Sequence, residues 1–223
     1  SFQFVKPPGE CNPYEWAIQV VGYGLSRIFA LDNDQTFPFG YFGDTTTTDH
    51  RVGFFPGSAD QGRSVSSFEE ALQVYERSIP TMRMSGPTTF APAIEYSIDY
   101  CRKNSARRLH VCLILTDGII SSGHIEHNRK ALQKASQYPI CFVVIGLGDG
   151  HPRSGWKLMY DFDDSVRDRR FDNFQFVEAN AVLKRCRNSN DFNPTMLSEA
   201  FFVEVCQELP DAVHTCRKLK MID

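Results

Sequence analysis

The sequence predicts an α/β fold: a mostly parallel central sheet flanked by helices on both faces. Three observations carry this prediction. Residues 109–116 and 139–145 are nearly continuous apolar runs; six of the eight residues before Asp117 are apolar. Such runs read as strands buried on both faces, as in a parallel sheet covered by helices. Both stop at glycine and acid, Asp117-Gly118 in one case and Gly146-Leu147-Gly148-Asp149-Gly150 in the other. Stretches with helical spacing alternate with the strands, which is the pattern of a parallel sheet with crossover helices.

Residues 1–11 hold Pro7-Pro8-Gly9 and no period, and read as a lead-in to a domain over 12–223. Asn12-Pro13-Tyr14-Glu15 is a helix start, with Asn as cap, Pro at the first helical position and Glu three residues on. Trp16, Ala17, Val20, Val21, Leu25 and Ile28 then mark one apolar face. Gly22 and Gly24 weaken that helix but let it press closely on a sheet. Asp32-Asn33-Asp34 ends it, and residues 37–42 read as a strand closing on Gly43-Asp44. Residues 51–63 are loop-like, with a short edge strand over 52–55. Ser67-Phe68-Glu69-Glu70 matches a capping box and opens a helix that Pro80 ends. After Gly86-Pro87-Thr88-Thr89 a helix is expected over 90–102, with Ala91, Ile94, Tyr96, Ile98 and Cys101 apolar.

Beyond the strand ending at Asp117, a loop over 119–124 leads to a helix over 125–136. Residues 155–160 suit a short helix, 161–164 an acidic turn and 174–177 a last strand. Residues 188–193 form a polar loop. Pro194-Thr195 starts a closing helix carrying Leu197, Ala200, Phe201, Val205 and Leu209 on one side. Pro210 interrupts it, and residues 211–219 add a turn or two.

A chain of 223 residues can bury the core of one sizeable α/β domain. Its formal charge of −3 gives no electrostatic reason to bind nucleic acid. No apolar run approaches the roughly 18 residues that span a bilayer, and no signal-peptide pattern opens the chain. The seven cysteines are an odd count without a C-x-x-C pair, and Cys112 and Cys141 lie inside expected core strands. That usage fits a reducing compartment, so a cytoplasmic location is expected.

Three expected strand ends carry a carboxylate: Asp44, Asp117 and Asp149. Thr88 stands just before a helix N-terminus. Carboxylates and a hydroxyl on the carboxyl edge of a sheet suit a hard cation, Mg²⁺ or Ca²⁺, with remaining positions for water or a partner's carboxylate. Acids at strand ends also serve as turn formers and threonine also caps helices, and the residues alone leave both readings open. Enzyme signatures are missing: the sequence has no G-x-S-x-G elbow and no G-x-x-x-x-G-K-[ST] loop. His124 and His127 fall three apart near a helix start, and Asp161, Asp163 and Asp164 lack the glycine and spacing of an EF-hand loop.

Asn12-Pro13-Tyr14, Gly40-Tyr41-Phe42-Gly43, Gly86-Pro87-Thr88-Thr89-Phe90-Ala91-Pro92, Leu115-Thr116-Asp117-Gly118 and the run from Phe171 to Val177 resemble the von Willebrand factor A-type domain of copines. The resemblance reaches Glu208-Leu209-Pro210 and so covers nearly the whole chain. Plant RING-type ubiquitin ligases with a copine-type A-domain are similar too. The resemblance implies a Rossmann-like domain with a metal-ion-dependent adhesion site, in which Thr88 and Asp117 match two of the ligands; Asp44 and Asp149 are weaker nearby candidates.

The family's Asp-x-Ser-x-Ser run and the central strand before it have no counterpart here, so the chain is expected to be a partial one and the site incomplete. C2 domains and a RING pattern are also missing. The resemblance implies a parent that is a Ca²⁺-responsive, phospholipid-binding protein, recruited to the plasma membrane through such other domains. Within it, this chain would be a non-catalytic module docking other proteins. A metal-free scaffold domain, or the substrate-binding domain of a RING-type ligase, are the alternatives.

Overall fold

The computed structural model describes residues 11–29, 36–47, 51–59, 62–85, 89–104, 107–118, 120–187 and 193–223. In chain order the elements are α1 (Pro13–Phe29), β1 (Phe37–Pro38), β2 (Gly40–Tyr41), β3 (Gly53–Phe54), β4 (Ser64–Val65), α2 (Phe68–Ser78), α3 (Ala91–Lys103), β5 (His110–Thr116), α4 (Ile125–Ala135), β6 (Ile140–Gly146), α5 (Lys157–Ser165), β7 (Phe174–Glu178), α6 (Ala179–Arg187), α7 (Pro194–Cys206) and α8 (Leu209–Lys218). They sort into two compact units, residues 1–86 with 180–203, and residues 87–179 with 204–223.

The first unit is mainly helical. Asn12 Oδ1 accepts the Tyr14 and Glu15 N–H groups at 2.9 and 3.0 Å, and Glu15 Oε2 accepts the Asn12 N–H at 3.2 Å, a reciprocal cap for α1. Trp16, Ala17, Val20, Val21 and Leu25 are buried as expected, with Trp16 edge-on to Phe201 at 5.2 Å. The glycines of α1 serve helices and not a sheet. A Cβ on Gly22 would lie 2.7 Å from Phe68, and one on Gly24 2.9 Å from Phe202. The strand expected over 37–42 is broken into β1 and β2, which pair antiparallel with β4 and β3 respectively. Phe39, between them, stacks on Phe55 at 4.6 Å. Ser67 caps α2 by accepting the Glu70 N–H at 3.1 Å. The Glu70 carboxylate binds one residue earlier than a full box requires, taking the Ser66 N–H and the Ser58 N–H, both at 2.7 Å.

The second unit holds the parallel sheet, ordered β5-β6-β7. Its register sets Thr116 beside Gly146 and Gly146 beside Glu178 at the carboxyl edge. All seven residues of β6 are buried. Phe142 and Phe174 are register partners, and Phe174 packs on Phe162 of α5. Cys141, pointing the other way by strand alternation, joins Ala212 and Cys216 of α8 in a cluster. Helices therefore cover both faces.

The two edges of this sheet differ. On β7, the Phe176 N–H points away from β6 and is taken by Asp163 Oδ2 of α5 at 3.1 Å. Among the described residues no strand pairs with the outer edge of β5. His110 bonds toward β6, so alternation turns the backbone groups of Val111, Leu113 and Leu115 outward. None of these three is fully buried, and Val111 is 41 % exposed.

Several expectations are corrected. Residues 161–164 are helical, within α5, because Phe162 and Met159 anchor that helix in the core. The helix α6 follows β7 directly and was not expected; its apolar stripe, Ala179, Val182 and Cys186, is short and lacks a polar cap signal. The closing helix ends at Cys206, and Pro210 lies in the first turn of α8 rather than breaking a longer helix. Residues 188–192 of the expected polar loop lie outside the described residues.

Asp163 belongs to a charged group at the end of α5. Arg169 donates to the Asp163 and Val166 carbonyls at 2.8 and 3.1 Å and pairs with Asp172 at 2.8 Å. Burial, reinforced by Asp172 and Asp164, pushes the Asp163 carboxyl up to about 6; burial together with Asp163 and Asp172 pushes Glu208 up to about 7. An acid whose folded pKa is raised holds its proton while the unfolded chain has lost it, so stability falls as pH climbs from about 4 to about 7.

Two predictions follow from these contacts. Ser67→Ala should cost about 0.5–2 kcal/mol by chemical denaturation, from loss of the α2 cap. Asp163→Asn keeps an acceptor for Phe176 but removes the charge. It should match wild type near pH 4.5 and exceed it by about 1–2 kcal/mol at pH 8, allowing for solvent screening. Denaturation curves at both pH values check this, and a loss of stability at pH 8 would refute it.

Candidate functional site at the carboxyl edge of the sheet

The ends of β5 and β6 are tied together before the carboxylates begin. The Leu147 N–H donates to the Thr116 carbonyl at 2.8 Å, and the Gly118 N–H to Thr116 Oγ1 at 3.2 Å. Thr116 is buried, while Asp117, one residue on, is exposed. The strand is thus anchored up to the residue before the acid, which reaches solvent from a fixed base.

Asp149 reaches the same edge from β6, in a turn flanked by Gly148 and Gly150 at φ +85° and +71°. Those backbone values are open to glycine at little cost. Trp156 and Phe176 fill the space where Gly146 would carry a side chain, each within 2.9 Å of a Cβ placed there. Asp149 is exposed. A third carboxylate, absent from the sequence-based set, stands in the row: Glu178 is level with Gly146 and accepts the Tyr160 hydroxyl at 2.9 Å. Its signal was faint because Glu178 closes a short strand that runs straight into α6.

Thr88 lies outside the described residues, so its place relative to Asp117 is not part of this geometry. The next two residues are described and held firmly. Asn128 of α4, 1 % exposed, accepts the Phe90 N–H at 2.7 Å and donates to Thr89 Oγ1 at 3.0 Å and to the His124 carbonyl at 2.7 Å. A polar residue on the buried stripe with Ala131, Leu132 and Ala135 was the available clue in the sequence.

Asp44 belongs to the other unit, and its carboxylate serves its own loop. Oδ1 accepts the Thr46 hydroxyl and N–H at 2.7 and 2.8 Å; Oδ2 accepts the Arg83 N–H at 2.7 Å. The Thr46 hydroxyl above all, then the two N–H groups, hold its pKa below the usual range. It lies in a two-residue bridge with Met84 and not at the end of a parallel strand. His127 lies 3.5 Å from Glu95, and the His124 carbonyl, rather than its ring, meets Asn128.

Among the described residues no group of three His, Cys, Asp or Glu could hold a metal ion. Asp117 offers one hard oxygen donor suited to Mg²⁺ or Ca²⁺, and a cage of six or more oxygens would need ligands beyond those described. No described helix is long and apolar enough to cross a membrane.

A family model described as Copine matches residues 1–223. Copine family protein 2 of Caenorhabditis elegans is 35 % identical over 215 residues, which cover 96 % of this chain and 2 % of that protein. The E3 ubiquitin-protein ligase RGLG1 of Arabidopsis thaliana is 36 % identical over 190 residues, 80 % of this chain and 36 % of the ligase. The chain therefore spans about a third of the plant ligase and a small fraction of the nematode protein. The manganese-loaded TRAP protein of Plasmodium vivax superposes with a TM-score of 0.48 at 16 % identity, over 79 % of this chain and 66 % of that one.

Proposed function

Since the chain belongs to the copine family, we propose that it is a non-catalytic protein-interaction module that docks partners at the carboxyl edge of the β5-β6-β7 sheet. Asp117 is the central contact, and a divalent cation bridges it to an acidic group of the partner once the remaining ligands are supplied from outside the described residues. The observation that carries this reading is the placement of Asp117: exposed, on a strand end pinned by the Leu147–Thr116 and Gly118–Thr116 bonds. Thr88, three residues before the start of α3, is the proposed second ligand, and Asp149 is a weaker one.

The outer edge of β5 supports the same reading. Among the described residues β5, apolar over 111–115, pairs on one side, which leaves a row of backbone groups that a further strand would satisfy. A strand there would end beside Asp117 and could deliver ligands to it. Ca²⁺-responsive phospholipid binding, cytoplasmic location and recruitment to a membrane are proposals for the whole parent protein.

A second reading has its own support. Plant E3 ubiquitin-protein ligases are 33–36 % identical over 80–95 % of the chain. In a ligase parent the same edge would select the substrate, with transfer chemistry residing in another domain.

Mn²⁺ titration of the full-length protein, read from the spectrum of the free ion, tests the proposal. Asp117→Ala should weaken binding at least about tenfold with the thermal melt unchanged. Identical titrations for wild type and Asp117→Ala would remove the metal-bridged mode.

A further inference from the structure

The chain carries a formal charge of −3, yet the amino edge of the β5-β6-β7 sheet is basic. α3 and α4 end there, each leading into a strand, and the last turn of α8 packs there through Cys216 beside Cys141 and Leu109. All three helices carry cations in their last turns: Arg102 and Lys103, Lys134, and Arg217 and Lys218. Cations at helix C-termini answer the helix dipole, so these have an ordinary explanation. It does not reach Arg107, Arg108, Arg170 and Lys220, which lie in the connections and are exposed.

The connections are tied to the end of α8. Arg107 Nη1 donates to Asp223 Oδ1 at 2.7 Å, the Asp223 N–H donates to the Arg107 carbonyl at 3.3 Å, and Arg217 Nε donates to the Asp223 carbonyl at 2.9 Å. The Arg170 N–H is held by Ser136 at the C-cap of α4. Burial raises the Cys216 thiol and the Arg170 charge opposes that rise, so this charge acts on the last turn of α8. Acids at this edge are fewer. Asp99 pairs with Arg102 at 3.7 Å and Asp172 with Arg169 at 2.8 Å, while Asp168 is exposed.

Two of the cations stand where the backbone favours glycine. Lys220 follows α8 at φ +58°, its N–H on the Arg217 carbonyl and the Met221 N–H on the Cys216 carbonyl, both at 2.9 Å. That is a Schellman turn, whose left-handed position is usually glycine because a Cβ is costly there. Arg107 has φ +51°. At both positions a long cationic side chain is kept on a backbone that opposes it, which ties its presence to what the side chain meets in solvent.

We propose that this face, made of Arg107, Arg108, Arg170, Arg217, Lys218 and Lys220, is a second docking surface that takes an acidic segment of a protein partner. Asp223 shows the chemistry within the molecule, a carboxylate held on the Arg107 guanidinium at this edge. Four of the six are arginines, whose planar forks match carboxylates in pairs of hydrogen bonds. The surface lies at the opposite end of the sheet from Asp117 and needs no metal ion.

The test is fluorescence anisotropy of a labelled peptide of alternating Asp and Glu, about ten residues and so roughly 33 Å extended, with the full-length protein in EDTA. The charge-reversed triple variant Arg108→Glu, Lys218→Glu, Lys220→Glu should weaken binding about tenfold or more, and Asp117→Ala should leave it unchanged. A control triple on α6, Lys184→Glu, Arg185→Glu, Arg187→Glu, changes the net charge equally and should bind as wild type does. Lys220→Gly should melt at the same temperature or higher and yet bind the peptide more weakly, a split that a purely structural lysine would not produce. Equal weakening in the α6 control reduces the attraction to net charge and overturns the proposal. So does failure of the wild type to bind the peptide, or binding to vesicles of equal parts phosphatidylcholine and phosphatidylserine that the peptide does not displace. Absence of Mn²⁺ binding removes the metal-bridged edge at Asp117 and leaves this surface standing.

Discussion

The complete burial of β6 is the constraint on which the second unit depends. A parallel strand with every residue inside must have a strand on each side and a helix layer on each face, or its backbone and side chains lose their partners. β5 and β7 supply the sides; α5 and α8 supply helical cover on the two faces. Everything of functional interest is then determined at the margins of this block. The outer side of β7 is blunted by a carboxylate, Asp163, received on the Phe176 N–H. The outer side of β5 has no such guard among the described residues, and its residues are the less buried for it. The two margins of the described sheet thus differ: a half-buried carboxylate guards one, and a partly exposed apolar strand forms the other.

The acids show how far a carboxylate's job depends on what surrounds it. Asp44 and Asp117 both follow an apolar or aromatic run in the sequence. Asp44 is wrapped by Thr46 and by the Arg83 N–H, and staples a loop. Asp117 projects from the end of a tied strand. Asp163 sits in a run of acids that looks solvated, yet Met159 and Phe162 before it carry the helix into the core and take Asp163 to the edge of β7. Each outcome depends on a partner 2 to 39 positions away, and the distant partners are invisible to local pattern.

What local pattern did convey is therefore predictable in kind. The strands β5 and β6 were legible because the unbroken apolar runs within them, residues 111–115 and 140–145, have few other uses. Helices α1 and α2 were legible from caps and spacing, and α3 from spacing. The first-unit strands were not, since a pairing of two residues leaves no periodicity to detect. α6 was missed for lack of a cap, and the break between α7 and α8 was misplaced because proline reads equally as an end or as a first turn. At the site, Asp117 was legible from the strand that bears it. Glu178 and Asn128 were not, because their meaning comes from register in one case and from a clasp between helices in the other.

The bonds of Asn128 also show why α4 matters more than its modest length suggests. It begins near the carboxyl edge, after β5, and ends near the amino edge, before β6. At its first turn Asn128 holds Thr89 and Phe90. At its last turns it holds the segment that leads into β7: Gln133 Nε2 donates to the Arg167 carbonyl at 2.9 Å, Ser136 Oγ accepts the Arg170 N–H at 2.9 Å, and the Leu132 carbonyl accepts Asn173 Nδ2 at 3.2 Å. Three polar side chains make these contacts, Asn128 and Gln133 of α4 and Ser136 at its C-cap, and Asn128 and Ser136 are buried. A buried hydrogen bond specifies geometry more sharply than apolar contact does, since a misplaced donor costs the full desolvation of its group. α4 is in this sense a brace between the two ends of the sheet. Its amino-terminal bonds hold Thr89 and Phe90 ahead of α3, and its carboxy-terminal contacts bear on the segment around Arg169.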